Sequence, residues 1–407
     1  MKLSHIAVSF LYIFALINTL HAIKSGSIGR LIDLSVVMLL LFTTIVIIVN
    51  KRIRISRIFK GKYLFVIYLI TFLIISLLSA GSSLSSLVII IAYALSGILS
   101  FQFCGYFILK EKKLFNILLK SIIYCSVFVC FTVLVSWTGL NSFAGLSFSE
   151  KFGAYSLGSI NASAGILEHP NTWGTLLVFS LGALRYLKPE FNKFFYWTLF
   201  GSFVFFLFAT FTRGPWLAFA MAYIFMNIYD KIPRWGFYTI SVFILILLSF
   251  TSLPQFTDSD NEVINSLFRV EKGLSGREVM WPFAFSLIMS EPITGYGFKS
   301  SVEVKQKFGV EEVLKYAPDS AFHNSFITMA VELGLIVSIL YLIVFFKSFD
   351  NIYKSKIDIR TKRFLIYTTV ATILSVMVVD YNIGGLRSVS LLLSIFLGAA
   401  YQSKIIK

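Results

Sequence analysis

The chain has 407 residues, of which 57% are hydrophobic and only 14% are charged, and its mean hydropathy is +0.82. Soluble domains usually contain about 45–50% apolar and about 25% charged residues, so this composition is typical of a protein that lies in lipid. It excludes a disordered chain, a coiled coil and a disulfide scaffold. The formal charge of +16 would suggest nucleic acid in a soluble protein. In a membrane protein it reflects Lys and Arg in cytoplasmic loops, and no nucleic-acid partner is expected.

Apolar stretches follow one another along most of the chain. A spanning helix needs roughly 20 mostly apolar residues. The fold class predicted is therefore all-α, a polytopic helical bundle of about twelve spans that forms a single transmembrane domain over residues 1–407. The twelve candidates are Ile6–Ile23, Leu31–Val49, Tyr63–Ala80, Leu87–Leu109, Leu114–Trp137, Asn171–Leu187, Phe194–Phe211, Pro215–Tyr229, Trp235–Leu253, His323–Phe346, Phe364–Val379 and Ser388–Tyr401.

The distribution of charge predicts the orientation of these spans. If both termini are cytoplasmic, the inner side holds 24 of the 36 cations and 5 of the 20 acids, and every short basic connection falls on that side, as the positive-inside rule expects. Two long outer connections then remain, residues 138–170 and 254–322. Because long structureless loops are uncommon and usually functional, the 254–322 stretch is interpreted as a large periplasmic loop.

Four groups of polar residues lie at outer helix ends or in that loop. The first is Thr212-Arg213-Gly214-Pro215-Trp216. Proline suits the first turn of a helix, so Arg213 is expected at a helix N-terminus, where free amides can hold an anion. The alternative is an interfacial arginine that snorkels to lipid headgroups.

The second group is Ser275-Gly276-Arg277-Glu278, followed by Trp281. Ser275 and Glu278 have the spacing of a capping box and predict that a helix begins here. Arg277 would lie in its first turn, which is the unfavourable end for a cation. It is either a surface accident or part of an anion site.

The third group is His323-Asn324-Ser325, at the entry to the tenth candidate span. Histidine titrates near neutrality and is the commonest general base, although an interfacial histidine is more often only a hydrogen-bonding residue. The same span contains Glu332, and an ionisable group inside an apolar helix is a functional hypothesis by default. On a continuous helix Glu332 would lie two and a half turns deeper than His323.

The fourth group is Glu168-His169-Pro170-Asn171, where the other long loop enters a helix. His169 and Asn171 are polar groups at the outer boundary and are candidates for substrate binding. A helix cap is the ordinary interpretation, since Asn and Pro are common at helix starts.

These groups, in this order, resemble the O-antigen ligase and O-antigen polymerase superfamily of bacterial envelope membrane proteins. The resemblance runs from Gly165 to about Tyr341 and includes the segments Pro-Ile-Thr-Gly-Tyr-Gly-Phe at 292–298 and Glu-Leu-Gly-Leu at 332–335. The first 160 residues match only as generic membrane helices. Thr212 stands where family members often have serine.

The resemblance implies transfer of a whole glycan from an undecaprenyl-diphosphate carrier to an acceptor hydroxyl at the periplasmic face of the inner membrane, without metal or cofactor. The leaving diphosphate needs fixed cations, for which Arg213 and Arg277 are the candidates. His323 is the candidate base, and the alternative role for it is a hydrogen bond to the diphosphate. Direct attack would invert the anomeric carbon. Asn324 and Arg387 are further candidates for substrate binding.

Several alternatives stay open at this point. A ligase would use lipid A-core as acceptor, whereas a polymerase would use a growing glycan, and the ligase interpretation is slightly favoured. A lipid-linked glycan transporter or flippase predicts broken helices and ionisable groups near the membrane midplane, often in repeated halves, and no such halves are visible. A non-catalytic scaffold would leave the two arginines and the histidine unexplained.

Overall fold

The architecture is given by a computed structural model of the chain. It describes short stretches between residues 8 and 17, and residues 27–51, 55–59, 63–79, 84–140, 148, 163–167, 169–231, 276–315, 321–376, 383, 385 and 387–404, together with four two-residue strands between 142 and 161. The ninth candidate span, Trp235–Leu253, lies outside the described residues, as does most of the first.

The described residues are overwhelmingly helical, and the predicted all-α membrane fold is confirmed. Two-residue strands pair antiparallel in the 138–170 connection, Ser142–Phe143 with Leu146–Ser147 and Ser156–Leu157 with Ile160–Asn161. The helices are α1 Ser27–Lys51, α2 Ile55–Phe59, α3 Tyr63–Ser79, α4 Leu84–Gly97, α5 Gly105–Lys110, α6 Lys112–Trp137, α7 Pro170–Leu187, α8 Lys193–Ala209, α9 Arg213–Ile228, α10 Arg277–Ser290, α11 Ser301–Phe308, α12 Glu311–Lys315, α13 Ser325–Lys354, α14 Ile359–Val376 and α15 Ser388–Gln402. A π-helical segment, Ile98–Cys104, joins α4 to α5, and a 3₁₀ turn, Lys188–Glu190, joins α7 to α8.

Each of the other ten candidate spans coincides with a described helix. Among the described residues, four helical stretches are long and apolar enough to cross a membrane, namely Ile32–Val49, Ser86–Lys110, Lys112–Trp137 and Ser325–Lys354. Tyr63–Ser79, Lys193–Ala209 and Ser388–Gln402 are shorter apolar helices. The number of spans therefore stays a prediction.

Side-chain contacts define the two ends of the bundle. At one end of the bundle, the ends of α7 and α9 contact the start of α14, and the end of α13 contacts the end of α15. These contacts are Tyr186 with Thr361 (3.3 Å), Asp230 with Arg363 (3.8 Å), and Asn351 Nδ2 with the Tyr401 carbonyl (2.5 Å). The starts of α7, α9 and α15 consequently share the opposite end, which we call the loop end. This grouping matches the two sides predicted from charge.

Helix α13 is broken at Gly334, whose φ of 78° and ψ of 171° are not helical. In a straight helix, residues twelve apart are separated by about 18 Å. Here the hydroxyl of Ser338 donates to the carbonyl of Phe326 at 3.0 Å, and the rings of Phe326 and Phe345 lie 5.9 Å apart. The nine residues before the break therefore fold back against the helix that follows it.

This reversal corrects the expectation of one continuous helix over His323–Phe346. Glu332 lies beside the break, while His323 lies at the far end of the folded-back half. The helix is continuous from Ser325 to Leu333, so Glu332 still lies about two and a half turns along it from His323, and the chain turns back only after both residues.

The break is filled by the segment at residues 292–297. The N–H of Gly297 donates to the carbonyl of Glu332 at 2.8 Å, and the N–H of Leu335 donates to the carbonyl of Pro292 at 2.8 Å. Backbone groups released by a broken helix need such partners, since unpaired buried groups are costly. The segment thus satisfies both sides of the break.

Two glycines permit this backbone-to-backbone contact. A Cβ on Gly334 would collide with the carbonyl of Ile293, and a Cβ on Gly295 would lie 2.5 Å from the carbonyl carbon of Glu332. Both glycines also have positive φ, which residues with side chains rarely adopt. The segment at 292–297 and the Glu-Leu-Gly of 332–334 therefore form one structural joint.

The described part of the 254–322 loop has its own hydrophobic core. Met280, Ala284 and Leu287 of α10 pack with Val304, Val313 and Phe322, and with Ala330 and Val331 of the folded-back half of α13. Helix α10 thus lays its apolar side against the other loop helices and the folded-back half of α13. This second core holds the loop helices against the residues that follow His323.

Candidate functional site

His323 lies in a strained turn between the loop and α13. Its φ is 53°, a left-handed conformation that histidine adopts more often than most residues but still at a cost. The flanking residues hold it there. The indole of Trp281 donates to the carbonyl of Phe322 at 3.0 Å, and Oδ1 of Asn324 accepts from the N–H groups of residues 326 and 327 as the N-cap of α13.

Two cations lie close enough to His323 to affect its titration. The pKa of the half-buried imidazole is lowered from 6.5 to about 4, first by burial and then by the charges of Arg277 and Lys305. Burial and like charges both disfavour the protonated form. At neutral pH the site therefore presents an uncharged imidazole beside a guanidinium and an ammonium.

Lys305 was not singled out by the sequence analysis. It lies on α11 and its side chain is completely buried, although lysine is almost never fully buried unless it has partners. At the start of the same helix, the N–H of Ser301 lies 3.4 Å from Oε1 of Glu332. Lys305 shares its eight-residue helix with Lys307, which is exposed, so only the fold distinguishes the two lysines.

Arg277 is the first residue of α10, close to where the capping pattern predicted a helix start. The predicted N-cap residue is wrong, because that position belongs to Gly276, which has φ 82° and no side-chain cap. Ser275 lies outside the described residues. Arg277 is thus half-buried at the start of a helix, where its charge is not compensated by the helix dipole.

Arg213 is the exposed first residue of α9, as predicted. Its position is fixed by the start of α7, because a Cβ on Gly174 would lie 2.8 Å from Pro215 and 3.1 Å from Oγ1 of Thr212. The indole of Trp216 donates to the carbonyl of residue 207 at 2.7 Å and closes the turn between α8 and α9. The structure therefore brings Arg213 beside the start of α7, and Arg277 beside His323.

The remaining candidates also lie at helix starts. His169 is the N-cap of α7, and its Nδ1 accepts the N–H of Asn171 at 3.0 Å. The cap interpretation is thus confirmed for His169, and the neutral ring must carry its proton on Nε2. Arg387 is the exposed residue that precedes α15. His169, Asn171, Arg213 and Arg387 all lie at the loop end.

The fold and the apolar helices define a multi-pass helical membrane protein. Residues 198–342 match the family model described as O-Antigen ligase. The predicted resemblance to the O-antigen ligase and polymerase superfamily is confirmed over this part of the chain. Comparison with curated protein sequences gives no match.

The matched residues include Arg213, Arg277, Lys305 and His323. They also include the whole joint between residues 292–297 and Gly334. They begin after the Glu168-His169-Pro170-Asn171 segment, so the match does not extend to the start of α7.

Proposed function

We propose that this protein is a glycosyltransferase of the O-antigen ligase type. In this proposal it moves a glycan from an undecaprenyl-diphosphate carrier to a sugar hydroxyl of lipid A-core at the periplasmic face of the bacterial inner membrane. The observation that carries the proposal is the neutral imidazole of His323 beside the cations Arg277 and Lys305. A base and an anion site are the two things that the reaction requires.

The cations would hold the diphosphate of the donor. Guanidinium binds phosphate oxygens through two parallel hydrogen bonds, and charge builds on the diphosphate as the glycosidic bond breaks. Arg277 lies beside the proposed base and would contact the diphosphate, while the completely buried Lys305 would add positive potential to the site. Arg213 is proposed to contribute a third cation from the start of α9.

His323 would act as the general base. The acceptor oxygen forms a bond to the anomeric carbon, its proton moves to the imidazole, and the carrier diphosphate leaves with the electron pair of the broken bond. Attack from the opposite face inverts the anomeric configuration. No metal is needed for this step, because the leaving group is already activated and the protein supplies the positive charge.

Donor binding would also improve the base. Arg277 and Lys305 contribute to the low pKa of His323, and a bound diphosphate would offset their charge. The pKa would then rise toward its ordinary value, nearer the pH at which a general base is most effective. Proton transfer would thus be favoured only when the donor is in place.

The proposal is tested in a deletion strain that expresses single variants. Arg213→Ala, Arg277→Ala and His323→Ala are each expected to abolish glycan transfer while membrane levels stay normal. Lys307→Ala is the matched control, because it removes an exposed cation from the helix that carries Lys305. Full activity in any of the first three variants would remove that residue from the mechanism.

The envelope glycans of the deletion strain distinguish the reactions. A ligase defect leaves lipid A-core without long chains while carrier-linked polymer is retained. A ladder with single repeats would instead identify a polymerase. Loss of carrier-linked glycan from the outer leaflet, with transfer intact in vitro, would identify a transporter or flippase.

A further inference from the structure

A basic cleft opens at the end of the bundle opposite the loop end. It has a volume of about 280 Å³ and lies between the end of α7, the Lys188–Glu190 turn, the end of α9 and the start of α14. Its polar lining is dominated by four cations, Arg185, Lys188, Arg360 and Arg363, and none of the described residues that line it is acidic. Like charges so close together are unfavourable without an anion.

Arg360 is the most informative of these residues. Its guanidinium lies 4.4 Å from the ring centre of Tyr186, which also lines the cleft. Its Nη2 is buried, and within the described structure it has no hydrogen-bond partner. A buried donor on a charged group normally has one, so a ligand in the cleft would complete this arrangement.

The neighbouring acids are directed elsewhere. Glu190 pairs with Lys120 at 2.8 Å, and Asp358 accepts from the backbone and the hydroxyl of Thr361. Asp230 lies 3.8 Å from Arg363 and can offset part of one charge. Among the described residues, Arg363 is thus the one cation of the four that forms an ion pair with a carboxylate.

Exposed apolar side chains place the cleft at a lipid surface. The ammonium of Lys188 lies over the rings of Tyr196 and Trp197, at 5.3 and 5.7 Å. Phe194, Trp197 and Ile359 are exposed. Aromatic rings and basic residues at one level are typical of a membrane–water interface. Basic pockets between helices on the cytoplasmic side bind anionic lipid headgroups.

We propose that the basic cleft binds the phosphate of an anionic phospholipid of the surrounding leaflet. The cleft lies at the opposite end of the bundle from Arg213, so this lipid is distinct from the glycan donor. The inference does not depend on the proposed glycan transfer. The lipid would tie α7, α9 and α14 together where the helices end.

The test uses the full-length protein purified in a neutral detergent. Its thermal unfolding midpoint is measured with phosphatidylglycerol, with phosphatidylcholine and with inorganic phosphate. Phosphatidylglycerol is expected to raise the midpoint, and the two other additions are expected to leave it unchanged. Equal stabilisation by phosphatidylcholine would overturn the proposal, and equal stabilisation by inorganic phosphate would identify a soluble anion rather than a lipid.

Variants then locate the effect. Arg360→Gln and Arg185→Gln are each expected to weaken the phosphatidylglycerol response about fivefold in apparent affinity, as loss of one basic contact near an anionic membrane predicts. Arg185→Gln keeps the stacking of Arg360 on Tyr186 and remains informative if Arg360→Gln fails to fold. Lys354→Gln is the control, since Lys354 pairs with Asp350 at the same end outside the cleft. An unchanged response in Arg185→Gln, or an equal loss in Lys354→Gln, would refute the cleft as the site.

Discussion

Replacing Lys305 by methionine should shift the acidic limb of the pH–rate profile to higher pH. With a pKa of about 4, His323 is neutral above about pH 5, so the limb of the wild-type kcat/KM should lie near pH 4 and not near 6.5. Removing a neighbouring cation makes the protonated imidazole less unfavourable and raises its pKa. The limb should rise by less than about one pH unit, because Lys305 is the smallest of three causes that lower the pKa of His323 from 6.5 to about 4.

The assay is transfer from a purified lipid-diphosphate glycan between pH 4 and 8 at limiting donor concentration, since kcat/KM reports the free enzyme. Lys305→Met should also raise KM for the donor, because it removes a cation from the proposed diphosphate site. Lys307→Met, on the exposed side of α11, should leave both the limb and KM unchanged. A wild-type limb near pH 6.5, or a limb that moves to lower pH in Lys305→Met, would refute the reasoning.

Three further predictions concern the architecture that holds the site. Gly334→Ala places a Cβ on a residue with φ 78° and against a carbonyl. It should cost about 1–3 kcal/mol of folding free energy and lower the unfolding midpoint in detergent. Gly201→Ala, with open space at its Cβ, should not lower the midpoint. Equal midpoints for the two variants would contradict the close backbone contact at Gly334. Trp281→Phe removes the bond to the Phe322 carbonyl, worth about 1 kcal/mol, and should reduce transfer at normal membrane levels; unchanged transfer would show that this bond does not position the turn. His169→Ala should destabilise the protein by about 1 kcal/mol through the lost cap, and His169→Asn should restore the midpoint, which a role other than capping would not explain.

The helices were predictable because hydropathy and charge report directly on burial in lipid. The break at Gly334 was not, since the apolar pattern continues through it without interruption. The joint depends on a backbone approach from residues 292–297, which are more than thirty positions earlier in the chain. A glycine in an apolar helix indicates such a contact only weakly.

The residues of the candidate site also include some that the sequence predicted and one that it did not. Arg213, Arg277 and His323 stood out because they lie at predicted helix starts on the outer side, which holds the minority of the cations of this chain. Lys305 did not stand out, since a lysine in a polar loop is ordinary until the fold buries it. The capping pattern placed the start of α10 within a residue or two but assigned the cap to Ser275 in place of Gly276, whose left-handed backbone gives no signal beyond its being glycine.

The joint at Gly334 has a consequence for synthesis of the chain on the ribosome. The carbonyl of Pro292 accepts the N–H of Leu335, a residue that is synthesised after the whole loop and its histidine. A nascent chain that stops before Leu335 therefore cannot close the break. Assembly of the loop must wait for the span that follows it.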